Sequence, residues 1–204
     1  MLRPQSTAFG LSLLLALGCA STPETEAPQL ASGLENPARS TVQVDLDPEV
    51  LVSALRLRSD AWIGQLGCGS GSFTRALAQA CPSGLVFAAD LDAERLRDAC
   101  SSWTDEPPGN VVPVFVHEFP PLFPTGRLDV LFLAEEPEQL LSSRDELRRL
   151  GAALTLKGRV VFHAPGLSEA KRERLARTFR DAGYEPDLEN QVEGLHVWKP
   201  NNQW

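Results

Sequence analysis

Gln65-Leu66-Gly67-Cys68-Gly69-Ser70-Gly71 is the stretch whose reading decides the fold. A short apolar segment with Trp62 and Ile63 precedes it, a helix-like stretch from Ser72 to Ala80 follows, and Phe87-Ala88-Ala89-Asp90 comes next. A strand, a glycine-rich turn, a helix and a second strand ending in an acid make a nucleotide-binding half of an open α/β sheet. Glycines let backbone pass close to a ligand, and the turn aims helix N–H groups into the site. The acid closing the second strand is placed to accept hydrogen bonds from both ribose hydroxyls. The stretch reads as a site for a nucleoside-bearing cofactor.

Spacing narrows the choice of cofactor. A dinucleotide fingerprint runs G-x-G-x-x-G. Here the third glycine, Gly71, arrives one position early and Ser72 stands where glycine is wanted, which disfavours an oxidoreductase. A phosphate-cradling P-loop needs a Gly-Lys-Ser/Thr ending, and there is none. The stretch instead resembles the first motif of class I S-adenosylmethionine-dependent methyltransferases, acid-x-G-x-G-x-G, whose cofactor carries no phosphate.

The surroundings carry the same resemblance. Gly84-Leu85-Val86-Phe87-Ala88-Ala89-Asp90-Leu91-Asp92 is similar to the family's second motif. The resemblance implies that Asp90 holds the ribose and Leu91 packs on the adenine, and the spacing fits the roughly 20 residues expected of a ribose acid. The alternative for Asp90 is a cap on a helix from Ala93 to Cys100. Asn110 to Val116 reads as a third strand, followed by His117-Glu118 where the family commonly places an adenine-contacting polar residue. Phe123 to Val130 and Leu147 to Phe162 resemble the family's later loop, strands and helix, so the likeness covers roughly residues 48–200. The cofactor-binding set it implies, for S-adenosyl-L-methionine, is Gln65, Gly67, Gly69, Gly71, Asp90, Leu91, His117 and Glu118.

Periodicity completes the architecture. Asp47-Pro48-Glu49 with Val50 to Leu57 reads as an entry helix, with proline well suited to its first turn. Strands are expected at 62–66, 85–90, 111–116, 128–133 and 158–163, and helices at 72–80, 92–100, 138–150 and 168–182. After Gly183, Tyr184 to Val197 reads as a closing hairpin. The expectation is an α/β, Rossmann-like, doubly wound and mainly parallel sheet with helices on both faces and an antiparallel last strand.

Ligands in such sheets lie beyond the carboxyl ends of the strands. Candidate bases there are Glu135 and Glu136 after the fourth strand and His163 at the end of the fifth, each able to take an acceptor's proton given suitable reach and pKa. The bland readings are that both glutamates open the following helix, favoured by its dipole, and that His163 is a packed, hydrogen-bonded residue. Methyl transfer from a sulfonium asks mainly for alignment of donor and acceptor. Gln65 departs from the family pattern, which has an acid there to help hold the methionine ammonium. Glutamine keeps an acceptor oxygen but loses the charge. The leading function is an S-adenosylmethionine-dependent methyltransferase acting on a small molecule or protein side chain. Its rival is an exported lipoprotein whose methyltransferase-like domain binds a ligand or partner without turnover.

Composition bounds the partners. The 204-residue chain is 43% hydrophobic and carries a formal net charge of −8, which argues against nucleic acid because phosphate binding needs clustered Lys and Arg. Lys171-Arg172-Glu173-Arg174 is interleaved with acid and reads as a solvated helix face. Residues 1–19 read as a signal peptide: Arg3, an apolar run to Leu17, then Gly18-Cys19, an ending that resembles a bacterial lipobox with Cys19 lipidated. Ala16 and Leu17 depart from the usual pattern. A plain secretory signal, or a misplaced start codon before a cytoplasmic enzyme, are the alternatives. Residues 20–45, with Pro23, Glu24, Glu26 and Pro28, read as a polar disordered linker before a domain at 46–204. Together these imply an outer-membrane lipoprotein facing the periplasm, touching the membrane only through its anchor. That address is itself a departure, since the cofactor is made in the cytosol. Cys68, Cys81 and Cys100 show no metal spacing and read as independent thiols, with Cys81–Cys100 pairing as the alternative.

Overall fold

The computed structural model describes residues 46–102, 108–134, 143–164, 166–190 and 194–201. All of them fall in one compact unit, Ser40–Trp204. The signal-peptide and linker segments, with Cys19, lie outside the described residues, as do Glu135 and Glu136.

The chain enters through α1 (Pro48–Leu55), capped by Asp47, whose carboxylate accepts from the Glu49 N–H, with proline in the first turn as expected. Arg56, at φ 46°, ends it. Then come β1 (Trp62–Leu66), α2 (Ser72–Ala80), β2 (Leu85–Asp90), α3 (Ala93–Ser101), β3 (Val111–Phe115) and β4 (Leu128–Leu133). The remaining elements are α4 (Arg144–Gly151), β5 (Leu154–His163), α5 (Glu169–Asp181), β6 (Tyr184–Pro186) and β7 (Leu195–Pro200).

Seven strands form one sheet in the order β3-β2-β1-β4-β5-β7-β6. Only β7 runs against the rest: it pairs antiparallel with both β5 and β6. This is the Rossmann-like sheet with one reversed strand that the sequence predicts. The apolar runs in the central strands are the mark of burial on both faces. On one face Leu51, Leu55, Leu77 and Ala78 of α1 and α2 cover Ile63, Val86, Val130, Phe132 and Val161. α3 extends that cover, laying Leu96 and Ala99 on Ala88. On the other face α4 and α5 bring Leu147, Leu150, Leu175 and Phe179 onto Leu66, Leu131, Leu133, Val160 and Phe162.

The two largest departures from the expected boundaries each have a local reason. The helix expected over 138–150 does not run through Ser143, which is extended at φ −148° and ψ 157°. Ser143 caps α4 instead, in a reciprocal capping box with Glu146 that starts the helix at Arg144. The strand expected from 158 begins at Leu154, which pairs with Leu128, and the register then shifts before Val130 meets Arg159. Lys157-Gly158 reads locally as a turn, but Gly158 sits where the Leu128 carbonyl comes too close for a side chain.

Candidate functional site

Topology alone places a crevice. From β1 the sheet grows one way through β2 to β3, and the other way through β4 and β5. Such a reversal leaves an opening beyond the carboxyl ends of the two strands where it occurs, here β1 and β4. The glycine loop begins at the end of β1.

Three left-handed glycines shape that loop: Gly67 (φ 83°), Gly69 (φ 51°) and Gly71 (φ 81°). Only glycine takes such angles at three alternate positions at little cost. The Gly67 and Cys68 N–H groups both donate to the Ala89 carbonyl, at 2.9 and 3.2 Å, which binds the loop to the end of β2. Gly71 closes the turn by donating to the Cys68 carbonyl and then serves as N-cap of α2, with no side chain capping the helix. The rim left accessible is Gly67, Gly69, Ser70 and Ser72.

Asp90 ends β2 and is 1% exposed. Its Oδ2 accepts from the Gly69 N–H at 3.2 Å and faces the Cys68 thiol at 3.7 Å. Its Oδ1 accepts from the Asp92 N–H at 2.9 Å and lies 3.5 Å from the Arg95 guanidinium. Asp90 therefore braces the glycine loop against the start of α3. The cap on that helix is not Asp90 but Asp92, which accepts from the Glu94 and Arg95 N–H groups. Burial, and then the carboxylate of Asp90, push the Cys68 thiol up to about 12, so it stays neutral and packs as a small apolar group. Cys68, Cys81 and Cys100 are free thiols.

Gln65 is fully buried, and its Oε1 accepts from the Thr74 hydroxyl at 2.8 Å. The acceptor oxygen expected to face a ligand is thus engaged by the first turn of α2. Gln65 Nε2 is buried with no hydrogen-bond partner. Sequence reasoning did not single out Thr74 or Arg95, the two residues that orient Gln65 and flank Asp90. The only available signal was that each lies in the first turn of the helix following a motif strand.

The other candidates spread along the same rim. Leu91 is half-buried against the core on the α4–α5 face. His117 and Glu118 are exposed beyond β3, and the His117 ring meets Phe115 edge-on with centroids 6.5 Å apart. β3 lies two strands from β1, about 10 Å away at ordinary strand spacing. His163 ends β5 opposite Leu195, so it points to the face that also carries Gln65. It is 9% exposed, and the backbone of Gly194 passes so close that a Cβ there would lie 3.1 Å from its Nε2. Among the described residues, no group of three or more His, Cys, Asp or Glu is placed to hold a metal ion.

No protein-family model matches the chain, and no curated protein sequence matches it. Solved structures do. An Aquifex aeolicus SAM-dependent methyltransferase aligns with a TM-score of 0.64 at 18% identity, over 81% of this chain and 93% of that one. A precorrin-6y C5,15-methyltransferase from Geobacter metallireducens aligns with a TM-score of 0.55 at 19% identity, over 74% and 83%. A Haemonchus contortus phosphoethanolamine N-methyltransferase, solved with phosphomonomethylethanolamine and S-adenosylhomocysteine, gives 0.55 at 16%, over 68% and 38%. At these identities the likeness establishes a shared fold.

Proposed function

We propose that this chain binds S-adenosylmethionine at the β1–β4 crevice and transfers its methyl group to a small molecule or a protein side chain. The observation that carries the reading is the glycine loop: three left-handed glycines at the topological switch point, held to Asp90 and running into a helix whose N-terminus has no side-chain cap.

The residues present fit such a cofactor. Gly67 and Gly69 offer bare backbone at the mouth of the crevice, and Gln65 keeps a buried amide donor without a partner beside them. Gly67, Gly69 and Gly71 would lie along the cofactor, Asp90 and Leu91 would meet its ribose and adenine, and His117 and Glu118 would border the base. Asp90 already accepts two backbone N–H bonds, so it would add ribose contacts through its remaining lone pairs. The bound cofactor supplies an activated sulfonium methyl. The chain's share is to orient donor and acceptor and to exclude water. Where the acceptor must lose a proton, His163, Glu135 and Glu136 are the candidate bases.

Calorimetric titration of the full-length chain with S-adenosylmethionine tests this. Saturable one-to-one binding is expected. No heat at millimolar cofactor sinks the reading, and binding without turnover across a panel of O-, N- and S-acceptors reduces it to a ligand-binding domain.

We also propose that residues 1–19 direct export and that Cys19 becomes a lipid anchor at the outer membrane. Support comes from the apolar run, the Gly18-Cys19 ending and the polar, proline-containing stretch after it.

A further inference from the structure

The fold sorts the domain's three free thiols into two places. Cys81 follows α2 and packs with Leu51, Leu77 and Val86. Burial, and then the carboxylate of Asp129 near the amino end of β4, raise its pKa. Cys68 lies at the other end of the sheet, in the glycine loop, buried with Ala88, Leu96 and Ala99. Cys100, half-buried in the last turn of α3, packs against that same cluster. After burial and Asp90, it is Cys100 that helps push the Cys68 thiol up, so the two sulfurs are near neighbours. Among the described residues, no cysteine acts on Cys81 in that way.

Polar contacts hold the end of α3 against the loop. The Ser102 hydroxyl reaches the Ser70 carbonyl at 3.4 Å, and the Arg75 guanidinium donates to the Ser102 carbonyl at 3.3 Å. Cys68 stands two residues before Ser70, and Cys100 two before Ser102. Glycine on both sides of Cys68 gives its backbone the latitude that disulfide geometry demands.

We propose that Cys68 and Cys100 are a redox pair, which a small disulfide oxidant converts to a disulfide that fastens the glycine loop to the last turn of α3. Cys100 is the more accessible thiol and reacts first. Its thiolate attacks one sulfur of the oxidant and expels the other as a thiolate. Cys68 then attacks the Cys100 sulfur and expels the second half of the oxidant. Two electrons pass to the oxidant, and the two cysteine protons leave with its two thiols. The second step is the slow one, because Cys68 is buried against the Asp90 carboxylate. Once bridged, Cys68 has no thiol hydrogen to offer Asp90 Oδ2, which it faces at 3.7 Å when reduced. Export would make the bridged state the standing one. The pairing itself depends on neither the export nor the cofactor reading.

The test uses the full-length chain carrying Cys19→Ala, so that only the three domain thiols remain. The folded chain is incubated with glutathione disulfide, quenched with an alkylating agent in denaturant and digested with trypsin. Cleavage at arginine puts Cys68, Cys81 and Cys100 on separate peptides, 59–75, 76–95 and 98–127. Peptide 59–75 is expected to be joined to 98–127, with Cys81 alkylated. The bridge closes a loop of about 30 residues, so oxidation should raise Tm by about 3 °C or more, reversibly with dithiothreitol. Adding Cys100→Ala should abolish the rise. A bridge from Cys81 to Cys100, or glutathione on Cys100 with Cys68 still alkylated, overturns the pair. A Cys68–Cys100 bridge that leaves Tm unchanged or lowers it overturns the fastening.

Discussion

At the scale of single residues, the site is built by partners that sequence order does not reveal. Asp90 stands out as a strand-ending acid, yet its visible work is to hold Gly69 and the start of α3. Gln65 stands out as the place where an acid is missing, yet its consequence depends on Thr74, nine positions on. His196 shows how far a residue's chemistry follows from its neighbours. Burial, and then the charge of Arg172, lower its pKa, and its ring stacks on Phe162 with centroids 4.9 Å apart. A histidine whose folded pKa is depressed binds fewer protons than in the unfolded chain, so stability rises with pH up to the ordinary histidine range near 6.5. We expect the urea midpoint to fall as pH drops from 7.5 to 5.5. His196→Phe keeps the stack but cannot titrate, so it should lose part of that slope; identical slopes would contradict the assignment.

At the scale of elements, local signals were strongest where one turn settles a boundary. Proline in the first turn of α1 and the run of glycines before α2 mark their elements from composition alone. Signals failed where a neighbouring strand imposes the boundary. Lys157-Gly158 looks like a turn, but the approach of the Leu128 carbonyl makes the glycine part of a shifted strand. Gly84, between α2 and β2, is held the same way: a side chain there would land on the Ala61 carbonyl, whose oxygen also accepts from the Leu85 N–H. Gly84→Ala is expected to destabilise the domain by about 1–3 kcal/mol, because backbone cannot step aside as a flexible side chain does. Gly109→Ala, where a Cβ meets nothing within 4 Å, is the control and should stay within about 0.5 kcal/mol. Matching urea midpoints for the two variants would refute the argument.

At the scale of the whole molecule, no described helix is long and apolar enough to cross a membrane, and the attachment proposed is through Cys19. Full-length chain expressed in a bacterial host with radiolabelled palmitate should take up label, and Cys19→Ala should not. An unlabelled wild-type chain removes the anchor. Within the domain, alternating apolar strands and amphipathic helices determined the α/β class, because a parallel sheet must be covered on both faces and its strands read as continuous apolar runs. The glycine spacing located the crevice, because left-handed residues at three alternate positions admit almost nothing else. Only the tertiary structure decided what the crevice presents. Gln65 and Thr74, Asp90 and Arg95, and His163 and Gly194 meet across helix starts and strand ends, and hydrogen-bond direction is a property of such meetings. A sequence specifies which donors and acceptors exist; packing selects which are already engaged and which are left for a ligand.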